Sequence, residues 1–178
     1  KNIYFVAPSN WIKKKALNSI ANSFNPKIEV IPNPVPSIFF NKIDKFSARS
    51  ELNLPLDKKI VFFSSLGGLQ DLRKGGHLLI ETIKELNKSF DDIFFVMVGS
   101  YKKSNEEFNF KNIKKFGIIK NNSFLFKVYK ACDLVVIPSL IDNLPQVGTE
   151  AQACGRPVVA FNVGGFADIV DHEKTGIL

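Results

Sequence analysis

Two carboxylates, Asp142 and Glu150, stand eight residues apart in the stretch SLIDNLPQVGTEAQACGRPVVAFNVGG (139–165). The residues between them are mostly small or polar, and a Gly-Arg-Pro break follows. A helix is expected over 146–154, which puts Glu150 about one turn inside it and Asp142 in the loop before it. The two acids then share no helical face; they bracket a helix N-terminus. That end carries unpaired N–H groups and a positive partial charge. Pro145 has no N–H, so Asn143, Leu144, Gln146 and Val147 are the candidate donors to an anion. A carboxylate that accepts two hydroxyl hydrogen bonds makes a ribose clamp, each charged bond contributing roughly 1.5–3 kcal/mol. The same residues also suit plain capping, with Asp142 or Thr149 as local acceptors and Glu150 as a solvated helix residue.

A second group of chemically useful residues lies in GGLQDLRKGG (67–76). Glycines such as Gly67 and Gly68 let backbone N–H groups approach an anion, and the helix after the loop offers its positive end. Arg73 and Lys74 add two charges, so a phosphate or diphosphate fits. Neither a P-loop nor GxGxxG is present, and a plain surface loop explains the composition as well.

These loops need a scaffold. Short apolar runs alternate with helical periods: IYFVA (3–7), a Ser9-capped helix through about Asn22, then KIEVI (27–31). PNPVPSIFFNKI follows as a linker, since its prolines exclude helix and central strand. After it come KIVFFSSL (59–66), a helix through Leu78, Leu79, Ile83 and Leu86, DIFFVMVG (92–99), IKKFGII (113–119) and a helix over 122–132. DLVVIP (133–138), RPVVAFN (156–162), a short GFADIV helix and a turn into a last strand complete the pattern. Strands apolar on both faces, alternating with helices, imply a Rossmann-like, doubly wound, mostly parallel α/β sheet covered on both sides. Ligands of such sheets bind beyond the carboxyl ends of the strands, where both loops fall. A last strand is expected to begin just before Leu178, which reads as a truncated end of the domain.

The chain has 178 residues, 45% hydrophobic and 23% charged, which supports a packed core. No apolar run approaches a membrane span, and the start has no signal-peptide core, so a cytoplasmic location is expected. Cys132 and Cys154 read as reduced core thiols. The net charge of +7 comes almost wholly from lysines in small clusters along the whole chain. That spread describes a solvated surface better than a nucleic-acid face. It also suits peripheral contact with the anionic inner face of a membrane.

The stretch PSLIDNLPQVGTEAQACGRPVVAFNVGGFADIVDHEKTGIL resembles the C-terminal domain of retaining glycosyltransferases of family 4, which have the GT-B fold. The family pattern is met by Asp142, Glu150, Ala151, Cys154, Gly155, Pro157, Val158, Val159, Gly164 and Gly165. APSNW, VIPNPV, RKG and ACDLVVIPS extend the resemblance over essentially the whole chain. It implies a nucleotide-diphosphate sugar donor and a glycan or lipid-linked acceptor, with no metal or other cofactor. It implies that Glu150 binds ribose, Asp142 lies beside the donor sugar, and Lys74 stabilises the departing diphosphate. Asn143, Leu144, Gln146, Val147, Gly67, Gly68, Arg73 and Ile118 complete the implied donor site. Residues 1–33 then belong to the last strand–helix–strand of an acceptor domain, and 34–178 to the donor domain. Two departures stand out: Asp142 replaces the usual Glu, and SSLGG stands where the family often has a Gly-Arg pair. His77 and His172 are not expected to serve as the acceptor domain's catalytic histidine. Rival readings are a sugar-nucleotide epimerase, a non-catalytic nucleotide-sugar module and a regulatory doubly wound domain.

Overall fold

A computed structural model describes residues 4–65, 71–100 and 110–178. Two parallel strands, β1 (Tyr4–Ala7) and β2 (Lys27–Val30), form a small sheet of their own. Helix α1 (Asn10–Leu17) connects them, its N-terminus capped by Ser9, whose hydroxyl accepts the Ile12 N–H at 3.2 Å. The helix expected through Asn22 stops at Leu17. Ser19 donates to the Ala16 carbonyl at 2.7 Å and caps a separate 3₁₀ turn, Ile20–Phe24. Serine and asparagine compete with the helical backbone for its own hydrogen bonds, and this segment is rich in both.

The larger sheet holds β3 (Lys59–Ser65), β4 (Ile93–Gly99), β5 (Ile113–Lys115), β6 (Leu134–Ile137), β7 (Val158–Ala160) and β8 (Gly176–Ile177). Their spatial order is β5-β4-β3-β6-β7-β8, and every pair is parallel. The expected doubly wound α/β architecture is therefore present. Strand β5 is shorter than IKKFGII suggests, because Gly117 turns the chain at φ +68°. Helices α2 (Lys45–Glu51), α3 (Gly76–Ser89), α4 (Asn122–Ala131) and α5 (Gln146–Ala153) complete the domain. No element is expected from the sequence pattern at 45–51, where α2 lies. Asp44 starts α2 there by accepting the Ser47 N–H at 2.8 Å.

Two apolar cores result, one on each face of the sheet. Phe62, Val96 and Val135 meet Phe126, Tyr129 and Ala151 on the face covered by α4 and α5. Phe63, Phe95 and Met97 meet Leu79 and Ile83 of α3 on the other. Cover on both faces holds for β3 and β4 but not throughout. Beside α3, an open apolar groove of about 400 Å³ runs past Val136 to Val159 and Phe161, both partly exposed. Cys132 and Cys154 are buried free thiols. No described helix is long and apolar enough to cross a membrane.

A polar node fastens the centre of the sheet. Asp133, just before β6, donates its N–H to the Ile60 carbonyl at 2.8 Å and accepts the Ile60 N–H on its carboxylate at 2.7 Å. The same carboxylate takes Arg49 of α2 at 2.6 Å and Lys45 at 2.9 Å. Arg49 is only 2% exposed; its other N–H groups reach the carbonyls of Ala131, Leu56 and Lys58. Burial pushes the Asp133 carboxyl up, but the Ile60 N–H and the two cations outweigh it and hold its pKa below the usual value. Removing Arg49 leaves Asp133 with Lys45 and the Ile60 N–H, but takes the donor from the carbonyls of Ala131, Leu56 and Lys58; an unmet buried group costs about 1–3 kcal/mol. Arg49→Met is therefore expected to lose about that much stability in urea denaturation at pH 7. A depressed carboxyl pKa stabilises above the unfolded value and loses that contribution as pH falls through the folded one. Asp133→Asn should accordingly flatten the loss of stability below about pH 4.

Candidate functional site

The strand order places the site. From β3 the chain moves outward to β4 and β5, then crosses back through α4 to β6 on the other side of β3. The loops after β3 and β6 therefore diverge, and a crevice opens between the carboxyl ends of these two strands. Lys74 enters it from the loop after β3 and Asp142 from the loop after β6. Their side chains meet, Lys74 Nζ to Asp142 Oδ2, at 2.6 Å.

Close backbone approaches hold the two loops together. Asp71 caps a 3₁₀ turn, Leu72–Lys74, by accepting the Arg73 N–H at 3.0 Å. Gly75 ends the turn at φ +65°, where a Cβ would lie 1.8 Å from the Pro138 carbonyl oxygen. The Leu140 N–H then reaches the Arg73 carbonyl at 2.8 Å. Arg73 itself folds back on Asp71, with contacts of 3.1 and 2.9 Å, and is 72% exposed. Its hydrogen bonds pull the Asp71 carboxyl below its usual pKa. Of the two expected cations, only Lys74 touches Asp142. Gly67 and Gly68 lie outside the described residues.

The Asp142 loop rests on the paired glycines of VGG. The Gly165 N–H bonds the Asp142 carbonyl at 3.1 Å. A Cβ on Gly164, at φ +61°, would lie 1.8 Å from that same oxygen, and one on Gly165 would lie 1.7 Å from the Asn143 oxygen. Asp142 Oδ1 accepts the Asn143 N–H at 2.9 Å, so this expected anion donor is already engaged. The N–H groups of Leu144, Gln146 and Val147, at the start of α5, have no partner among the described residues. Leu144 turns its side chain into the core, whereas Gln146 is exposed.

Glu150 occupies a different environment. It lies on α5 as expected, but it is not the solvated residue that capping alone predicts. Its carboxylate is half-buried and accepts the Tyr129 hydroxyl of α4 at 2.8 Å. Burial raises the Glu150 pKa, and the Tyr129 hydrogen bond offsets part of that rise. Phe39 and Phe62 pack on the Tyr129 ring, with centroids at 5.8 and 4.8 Å, and fix its hydroxyl. The two acids thus have separate partners, a lysine for one and a phenol for the other.

Sequence reading passed over Tyr129, whose only local signal is one hydroxyl on an otherwise apolar helical face. It also passed over Ser64, near the end of β3. Ser64 Oγ is buried without a partner among the described residues. It lines a cavity of about 50 Å³ with Lys74, Ser139, Asp142, Pro145 and Val147. His77 Nδ1, at the start of α3, is likewise buried and unpartnered. His172 sits on a surface turn and accepts the Leu178 N–H at 3.0 Å. Ile118 is 61% exposed beyond β5 and lines a shallow groove with Lys120, Phe124 and Lys127. Nothing brings it into contact with Lys74 or Asp142. No group of three or more His, Cys, Asp or Glu side chains suited to a metal occurs among the described residues.

A six-stranded parallel sheet in this order is the doubly wound, Rossmann-like arrangement found in each half of a GT-B glycosyltransferase. The chain belongs to the family Glycosyl transferases group 1, which matches residues 44–178. It is 34% identical over 162 residues to a D-inositol 3-phosphate glycosyltransferase of Segniliparus rotundus, covering 85% of this chain and 35% of that protein. The chain thus spans little more than a third of that curated relative. Sucrose-phosphate synthase of Thermosynechococcus elongatus superposes with a TM-score of 0.78 at 26% identity, over 98% of this chain and 44% of that one. Anabaena HepE, solved with UDP and glucose, gives a TM-score of 0.72 at 22% identity, over 97% and 48%.

Two outcomes follow from this geometry. Gly164→Ala forces a side chain into the left-handed region and against the Asp142 carbonyl, so a loss of about 1–3 kcal/mol is expected in chemical denaturation. Tyr129→Phe removes the one hydrogen bond that lowers the Glu150 pKa. The carboxyl should then titrate still higher, as read by carbon-13 NMR. A raised carboxyl pKa stabilises the fold below the unfolded value, and the contribution is lost as pH rises through the folded one. In Tyr129→Phe that loss should be larger and extend to higher pH.

Proposed function

We propose that this chain is the donor-binding part of a retaining glycosyltransferase of the family 4 type. It takes a nucleotide-diphosphate sugar, and the whole protein transfers the sugar to a glycan or lipid-linked acceptor. The observation that carries this reading is the Lys74–Asp142 contact at the switch point, where two loops bring a cation and a carboxylate together beside the start of α5. In the proposed reaction the bond between the anomeric carbon and the diphosphate breaks with its electrons passing to the diphosphate, while an acceptor hydroxyl oxygen bonds that carbon on the same face and gives its proton to the departing diphosphate. Lys74 and the N–H groups of Leu144, Gln146 and Val147 stabilise that growing charge with no reorganisation of solvent. Asp142 lies beside the transferred sugar, Glu150 binds ribose, and the exposed groove at Ile118 receives the base. No step requires a metal. Residues 34–178 form the donor domain in this scheme, and 1–33 belong to an acceptor domain. The separate β1–β2 sheet and the family match from residue 44 support that division.

Calorimetric titration of the chain with UDP, GDP and ADP tests the proposal. One of the three is expected to bind, and Glu150→Ala to weaken it about tenfold or more through loss of a charged hydrogen bond. Lys74→Ala should weaken the diphosphate more than the matching monophosphate. Binding of none of the three by this chain or by a longer protein that contains it would overturn the reading.

A further inference from the structure

The small β1–β2 unit reaches the donor loop at one point. Ser9 follows β1 and is 1% exposed, and its hydroxyl lies 2.5 Å from Asn143 Oδ1, across 134 residues of sequence. That hydroxyl also accepts the Ile12 N–H, so its lone-pair side serves α1 and its single hydrogen is left to donate. The Asn143 amide takes that hydrogen on its oxygen, and its nitrogen points away from Ser9. Gly165 makes the contact feasible, since a Cβ there would lie 3.1 Å from the Ser9 Cβ and 1.7 Å from the Asn143 carbonyl oxygen. Next to Ser9, Asn10 grips Asp168 with its N–H at 2.7 Å and its side-chain amide at 2.8 Å. Two adjacent residues of the small unit thus hold the donor loop at Asn143 and the turn after the paired glycines at Asp168.

From this geometry we infer that Ser9 is a positioning residue for sugar recognition. It orients the Asn143 amide so that Nδ2 turns its two hydrogens to the crevice beside Asp142. Nδ2 has no partner among the described residues. The ligand group it meets is a hydrogen-bond acceptor, and we assign it to a hydroxyl oxygen of the transferred sugar. Asp142, the neighbouring residue, accepts hydrogen bonds, so the two side chains together read both the oxygen and the hydrogen of sugar hydroxyls. The loop is set for the sugar only while the β1–β2 unit is docked. This inference rests on the proposed donor site.

Its test has one arm without ligand and one with. In the first, Ser9→Ala, Asn143→Ala and the double variant form a thermodynamic cycle in urea denaturation. The double variant is expected to be less destabilised than the sum of the singles. Additive effects would overturn the inference whatever binds. In the second arm, UDP-glucose and UDP are titrated into each variant. Ser9→Ala should weaken UDP-glucose about five- to tenfold and UDP less than twofold, whereas general damage to the fold would weaken both alike. Asn143→Asp keeps an acceptor for Ser9 but has no N–H to offer, and should lose UDP-glucose at least as strongly. Equal losses for UDP and UDP-glucose would overturn the sugar assignment. If the wild-type chain binds none of UDP, GDP, ADP and their glucose conjugates while the cycle still shows coupling, the donor reading has failed, and sugar recognition by Ser9 fails with it. The Ser9–Asn143 contact itself then stands as structural.

Discussion

Strand β3 must lie against β6 for anything else in this domain to work. The two strands are far apart in sequence, and β4, β5 and α4 intervene. Asp133 closes the seam between them by bonding Ile60 through both its main chain and its carboxylate, and Arg49 and Lys45 hold that carboxylate in place. With the seam fixed at its amino end, the carboxyl ends of β3 and β6 stand side by side and their loops part in opposite directions. That parting is the crevice. An ion pair of this kind adds little net stability over an apolar packing of the same volume. Here it ties Asp133 to Ile60 in the register that pairs Val61 with Leu134.

The crevice is then narrowed by backbone, not by side chains. Gly75 lies against Pro138, Gly164 against Asp142, and Gly165 against Asn143, each so closely that no Cβ fits. Three loops from distant parts of the chain thereby become one rigid surface. A carboxylate and a lysine held on such a surface need not reorganise when a charged ligand arrives, which is the condition for strong electrostatic stabilisation. The two acids of the site differ because their surroundings differ. Asp142 is paired with a cation at the mouth. Glu150 is half-buried against a phenol, so burial works against its charge and only Tyr129 counters it. Ser9 extends the same arrangement to the small sheet and makes the donor loop depend on a second unit.

Much of the fold was legible from local pattern. The alternation of apolar runs with helical periods located every strand within a few residues, because core-facing side chains recur at the period of their own element. The Asp142–Glu150 spacing around a helix start was equally local. Helix α2 was missed because its apolar pattern is short and Arg49, a charged residue, is its largest buried side chain. The capping reading of Glu150 erred for a related reason: sequence spacing shows which face of a helix a residue occupies, but not what lies opposite.

The sequence by itself determined the fold class, the positions of the two chemically suggestive loops and the pair of acids, since each follows from the order of residue types along the chain. Tertiary structure alone decided that Lys74 and not Arg73 meets Asp142. It also gave Glu150 a phenol, left Ser64 Oγ facing a small cavity, and brought Ser9 to Asn143. These contacts join residues 21 to 134 positions apart. Such contacts depend on how the sheet brings its loops together, and no period in the sequence encodes them.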